Sequence, residues 1–454
     1  MNKLAINGAN KLRNEPFPAY NTIDSKEEEA VLRVLRSGKL STYLGTWHND
    51  FHGGSEVQKL ENKWAEYFNV KHAISVNSAT SGLYAAVGAI GIKPGDEVIV
   101  SPYTMSASAT AILLYGGIPV FADIEKDYFC IDPISIKEKI TSKTKAIMAV
   151  DIFGQACDFK ELNKIAKEHD LKIIEDTAQA PYAKYDEKYA GTLGDIGIFS
   201  LNYHKHIHTG EGGIVVTNDD TLAMKVKLIR NHAESIVEDK GEKDLVNMLG
   251  YNFRLTEIQA AIGIEQLNKL DEEVKTRQNQ AKLYNKALAK YDFIKTTITD
   301  DRTHAYYIQA FQYDQTRTGV SRDKFLEAVC AELMPVEFRE SEGVPIYGGL
   351  CKPLYLLPMF QQKIAYNKKN FAFKDSINYE KGICPNVEDL YFNTLWYHDF
   401  TRSPLCKDDI NDVITAYTKV CDNIDDDNIP ESVGSLVIDQ TAVDDTSVAG
   451  LFSV

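Results

Sequence analysis

The chain has 454 residues, 44% of them hydrophobic and 25% charged, and a formal net charge of -15. That length allows two or three domains with sizeable cores. The acidic balance argues against nucleic acid or an anionic membrane as partner, since both select basic faces. The seven cysteines form no CxxC pair, and an odd number in a long chain argues against a disulfide framework. The opening MNKLAINGANKLRNEPFPAYN carries no apolar segment of the signal-peptide kind. No run approaches the ~18 apolar residues of a membrane helix. The expectation is a cytoplasmic protein.

Helical and strand patterns alternate from residue 25 to about 220. SKEEEAVLRVLRSG (25–38) is amphipathic, with Ser25 to cap it and Gly38 to end it. VQKLENKWAEYFNV (57–70) places Leu60, Trp64 and Phe68 at helical spacing. HAISV (72–76) reads as a strand, TSGLYAAVGAIGI (80–92) as a helix, and DEVIVSP (96–102) as a strand ended by proline. TMSASATAILLYGG follows as a helix. PVFADI (119–124), TKAIMAVDIFG (144–154) and LKIIEDTAQA (171–180) are further strands, with KELNKIAKEHD (160–170) a helix between them. IGIFSL (196–201) and GGIVVTN (212–218) complete the run. Apolar strands separated by helices imply an α/β fold, with a mostly parallel, mixed sheet covered on both faces.

Past Gly250 the pattern changes. Residues 256–291 read as one long helical stretch, 304–314 as a strand and 321–333 as a helix. The expected organisation is a large domain over 20–265 and a smaller C-terminal α+β domain over 266–425. The acidic residues 426–454 are expected to be a mobile tail.

Three stretches can carry chemistry. In IIEDTAQA a strand runs into Glu175 and Asp176, and ligands collect at the carboxyl ends of strands in open α/β sheets. Asp176 there suits a metal ligand, a catalytic base or the partner of a protonated ring nitrogen; a helix-capping aspartate is the plainer alternative. SVNSATSG ends a strand and opens a helix. Such an N-terminus favours phosphate, and Ser78 and Thr80 add hydroxyl donors; a simple N-cap is again the alternative. It lacks both GxxxxGK[ST] and GxGxxG. In FSLNYHKHIHTGEGG (199–213), Lys205 follows the strand-ending Ser200 into a turn. A desolvated lysine can lose its proton and form a Schiff base, whereas most lysines are solvated surface charges. His204, His206 and His208 would share one face of a strand and could hold zinc. TGEGG predicts a turn instead, so no metal site is expected.

Taken in order, SATSG, EDTAQA, FS-x4-K-x4-GEGG and GYNFRLTEIQAAIG (250–263) resemble the DegT-like sugar aminotransferases of pyridoxal-phosphate (PLP) fold type I. SGKLS (37–41), KPGDEVIVSPYT (93–104) and DIFGQACD (151–158) extend the likeness, which covers roughly residues 20–425. The resemblance implies a PLP enzyme that moves an amino group from glutamate or glutamine to a nucleotide-linked keto-sugar. The cofactor would cycle through pyridoxamine phosphate, in a surface-polysaccharide or antibiotic-sugar pathway. Lys205 would form the Schiff base and shuttle a proton, and Asp176 would hold the pyridine nitrogen protonated. Gln179 would bond the phenolic oxygen. Ala79, Thr80 and Ser200, beside Ser78, would bind the phosphate. Asn252 would reach the phosphate of a neighbouring subunit, which implies a homodimer with shared active sites. The family's aromatic ring over the pyridine is replaced here by Met105, with Tyr103 nearby. Some relatives carry histidine in place of the lysine and are sugar dehydratases; Lys205 favours transamination. The loop 41–56, with Trp47, His48 and His52, reads as a cover for a sugar or base, or as a plain surface loop. His398 and Arg254 are weaker pocket candidates.

Overall fold

The structure is a computed structural model and describes residues 3–299, 302–365, 377–424 and 429. The expected tail, 426–454, lies outside the described residues apart from Ile429.

The strands of the first half are β1 (His72–Val76), β2 (Glu97–Val100), β3 (Ile118–Phe121), β4 (Thr144–Val150) and β5 (Lys172–Asp176). A short ribbon, β6 (Lys184–Tyr185) and β7 (Lys188–Tyr189), precedes β8 (Ile196–Ser200) and β9 (Gly213–Thr217). The C-terminal part adds β10 (Ile294–Thr296), β11 (Arg302–Thr303), β12 (Gln309–Tyr313), β13 (Ile346–Gly348) and β14 (Leu395–His398).

Seven strands form the main sheet in the order β1-β9-β8-β5-β4-β2-β3. From β8 to β3 every pairing is parallel; β9 alone runs against both its neighbours, β1 and β8. The parallel strands are buried along nearly their whole length. That is why they read as continuous apolar runs rather than alternating ones. Helices Ser25–Ser37 and Ser55–Phe68 both pack on Glu257–Leu267, and Ala107–Leu114 and Asp220–Arg230 both pack on Ala79–Ala89. A second sheet, β10-β12-β14-β13, is antiparallel throughout and has its own buried cluster. There Phe311 and Trp396 stack at 4.4 Å, and burying two such rings contributes several kcal/mol. The N-terminal Leu4 and Phe17 belong to this second cluster, whereas Leu354, Tyr355 and Val387 return to the first.

Three local readings change. Asp24, not Ser25, caps the first helix: its carboxylate accepts the Lys26 N–H, and Glu27 completes a capping box. Gly38 ends that helix in the left-handed region, as read. The stretch 256–291 is two helices, Glu257–Leu267 and Leu270–Leu288, broken at Asn268. Of 304–314, only Gln309–Tyr313 is strand; residues 304–307 are irregular and dock on the turn at Gly154.

Candidate active site

The parallel strands present their carboxyl ends on one side of the sheet, and a pocket lies there. Register sets its floor. Gly213, at the start of the reversed β9, faces Val76 of β1 and Ser200 of β8 in one row. Asp176 ends β5 beside Ile198. Ser78, Ala79, Thr80, Met105, Asp176, Gln179, Ser200 and Lys205 all line this one pocket. Thr104, Asn202 and Glu211, which no reading of the sequence picks out, line it too.

Lys205 sits in the turn between β8 and β9. The segment 201–210 is not a strand, so the three histidines do not share a face. His204 lines the pocket and stacks on Tyr203, with ring centroids 3.7 Å apart. His206 is fully buried and its Nε2 meets the Ala305 carbonyl at 2.9 Å. The His208 Nδ1 accepts the Gly210 N–H at 3.3 Å. No metal-ligand cluster occurs among the described residues.

The Lys205 amine lies 4.2 Å from the centre of the Tyr307 ring. Burial lowers its ammonium to about 8, against the opposing pull of Asp176 and Glu211. A neutral, nucleophilic amine is therefore available near neutral pH. The loop is tied from behind by Tyr20, whose hydroxyl donates to the carbonyls of Lys205 (3.1 Å) and His206 (2.9 Å).

Asp176 is 5% exposed. Burial raises its carboxyl, offset by the Ser108 hydroxyl donating at 2.7 Å, the Ala178 N–H at 3.2 Å and the charge of Lys205. A cation placed against it would restore the carboxylate. The Gln179 side-chain oxygen accepts the Phe153 N–H at 2.8 Å, which leaves its NH2 as the free donor end.

The helix Ala79–Ala89 begins at the pocket, capped by the Ser78 hydroxyl, which accepts the Ser81 N–H at 3.0 Å. The first N–H groups of a helix have no intrahelical partner, so those of Ala79 and Thr80 can serve an anion. A Cβ on Gly213 would come within 2.7 Å of the Ala79 nitrogen, so only glycine lets the sheet approach this helix start. An amine, a carboxylate for a ring nitrogen, an amide donor and an anion cradle are one donor set. It fits a phosphorylated pyridine aldehyde.

Residues 21–417 match the model of the DegT/DnrJ/EryC1/StrS aminotransferase family. The chain belongs to that family. It is 34% identical to a GDP-perosamine synthase of Vibrio cholerae, over 84% of this chain and all of the relative. It superposes on the aminotransferase of Psychrobacter cryohalolentis with a TM-score of 0.76 and 29% identity, covering 90% of this chain and 100% of that one. An E. coli GDP-4-keto-6-deoxy-D-mannose-3-dehydratase, solved with bound hydrated PLP, superposes with a TM-score of 0.72 and 25% identity, over 89% and 99% of the two chains. The family and these neighbours imply PLP as the cofactor, as the donor set does.

Several residues read as candidates do not line the DegT-family pocket in this chain. Asn252 is exposed, and its side-chain oxygen accepts the Arg254 Nε–H at 2.7 Å. His398 is a core residue whose Nε2 meets the Gln309 side-chain oxygen at 3.0 Å. Trp47 lies under Lys240, whose amine is 4.2 Å from its ring, and packs on Phe51 and His52. Tyr103 is buried edge-on against Phe153, while Met105 lines the pocket. No helix among the described residues is long and apolar enough to cross a membrane.

Proposed function

We propose that this aminotransferase moves an amino group from glutamate or glutamine to a keto-sugar carried on a nucleotide. The observation that carries this reading is the desolvated Lys205 amine in one pocket with Asp176 and a capped helix start. Ser78, Ala79, Thr80 and Ser200 would hold the PLP phosphate, Asp176 its ring nitrogen, Gln179 its phenolic oxygen and Lys205 its aldehyde carbon. When bound, PLP supplies an electron sink that makes the proton on the amine-bearing carbon removable. The chain's own work is then proton handling and orientation. Lys205 would take the proton from one carbon and return it to another. Met105, which lines the pocket, would offer its thioether to the ring face in place of an aromatic side chain. His206, which burial holds neutral, supports the loop rather than the chemistry. The site would serve the amino donor first and the keto-sugar second, in two half-reactions.

The test is an absorbance spectrum of the protein with PLP, wild type beside Lys205→Ala, before and after each donor. The expected result is a visible band in wild type that glutamate or glutamine bleaches and that is absent or unresponsive in the variant. A bound cofactor whose band ignores both donors would favour the dehydratase chemistry of the structural neighbour. No uptake of PLP by wild type would overturn the reading.

A further inference from the structure

Behind the pocket floor lie two carboxyl groups that the chemistry above does not use. Asp151 and Glu175 are both 0% exposed and lie close enough for each carboxyl to act on the other's charge. Glu175 accepts three N–H groups, from Gly191 (2.5 Å), Leu193 (2.8 Å) and Gly194 (3.0 Å). Asp151 accepts two donors, the Cys157 N–H and the Thr177 hydroxyl, each at 3.0 Å. Two buried carboxylates in contact do not both ionise without a cation. The arginine acting on this cluster, Arg302, donates Nη1 to the Ala156 carbonyl at 3.0 Å and stands 3.9 Å from Glu125. The remaining titratable neighbours are thiols: Cys157 donates to the Val150 carbonyl and Cys130 to that of Gln155. One proton therefore stays in the pair, and the donor count places it on Asp151. Burial acts the same way, raising Asp151 well above the carboxylate range and Glu175 to about 7.

Asp151 touches the site by three routes. Its backbone N–H donates to the Asp176 carbonyl at 3.0 Å. Its carboxyl holds Thr177, the next residue. The turn it opens sends the Phe153 N–H to Gln179, and the carbonyls of Phe153 and Gly154 accept the Tyr307 and Ala305 N–H groups at 2.9 and 2.7 Å. That same segment carries the ring beneath Lys205. Phe153 keeps φ at 60°, a costly conformation for a bulky residue that these bonds hold in place.

We propose that Asp151, carrying the proton it shares with Glu175, is the positioning residue that fixes Asp176 and Gln179 against the cofactor ring. The inference rests on the PLP reading of the pocket.

Two substitutions separate its parts: Asp151→Asn keeps a neutral group of the same shape, and Asp151→Ala removes the group. The readouts are the PLP dissociation constant and the pH midpoint of the bound-cofactor band, in the full chain beside wild type. Thermal melts of the cofactor-free proteins report folding. Asp151→Asn is expected to match wild type within about twofold and keep its midpoint. Asp151→Ala is expected to bind PLP about tenfold more weakly, the loss of one to two hydrogen bonds, with a displaced midpoint. If Asp151→Ala does not fold, Thr177→Val, which removes a single bond, is expected to displace the midpoint instead. A wild-type affinity and midpoint in the alanine variant, or in Thr177→Val where that stands in, overturns the role of Asp151. So does an asparagine variant as impaired as the alanine one, since Asp151 would then be acting as a charge. Failure of wild type itself to take up PLP strikes the proposed function instead.

Discussion

At the residue scale the site turns on an amine that burial has brought close to neutrality. Lys205 titrates at about 8 in the folded chain against 10.5 for an ordinary lysine. Between those values the unfolded chain binds the extra proton and the folded chain does not, so this group's contribution to stability rises with pH across that window. Below pH 8 both states are protonated and the full burial penalty applies. Lys205→Met is therefore expected to be more stable than wild type at pH 7, by up to about 3 kcal/mol in the cofactor-free protein. The gap should shrink as pH climbs from 8 to 10.5, and denaturant titrations of both proteins across that range check it. Lys205→Ala should lose on the order of 10² to 10⁴ in turnover, since the proposed proton carrier goes with the proposed nucleophile. Lys205 and Asp176 stood out in the sequence because Asp176 ends a strand and Lys205 follows one, where side chains gather in this class of sheet. Ser108, which holds the Asp176 carboxylate, was not: it lies 68 residues away, and only the fold joins them. Tyr307 escaped for the same reason, sitting in a stretch whose apolar pattern reads as strand.

At the scale of elements, the contact between β9 and the helix Ala79–Ala89 decides whether the anion cradle exists. Gly213→Ala would drive a methyl group into the first peptide of that helix. The expected cost is about 1–3 kcal/mol of stability, with weakened binding of phosphate and PLP alike, measurable by calorimetry. Ser78→Ala should cost about 1 kcal/mol through the lost cap. Its PLP affinity should fall as well; an unchanged affinity would show that the hydroxyl only caps the helix. Elements whose whole signal is local were read closely. HAISV is β1 to the residue, because a short, largely apolar run with Ile74 and Val76 is set off by the polar Lys71 and Asn77. The break at Asn268 was not legible, since apolar periodicity continues across it without a proline or glycine. Nor was the capping box at Asp24, whose effect depends on Glu27 reaching back to its backbone N–H.

At the scale of the whole molecule, we propose a division into 20–265 and 266–425, and a homodimer whose active sites are shared. Asn252 stands exposed and outside its own pocket, which leaves it free to serve a second copy. Mixing Lys205→Ala with Asn252→Ala after partial denaturation should restore amination that neither variant supports alone, because one site of each mixed dimer would be intact. Mixtures as inactive as their parents would leave Asn252 without that role. The ties of Tyr20 carry a different consequence. The family match begins at residue 21, one residue after the side chain that bonds the carbonyls of Lys205 and His206. The segment before it runs through Phe17 and Leu4 into the second core. A protease that clips the chain near residue 21 would leave every strand and every pocket residue intact, and still unfasten the loop that carries Lys205.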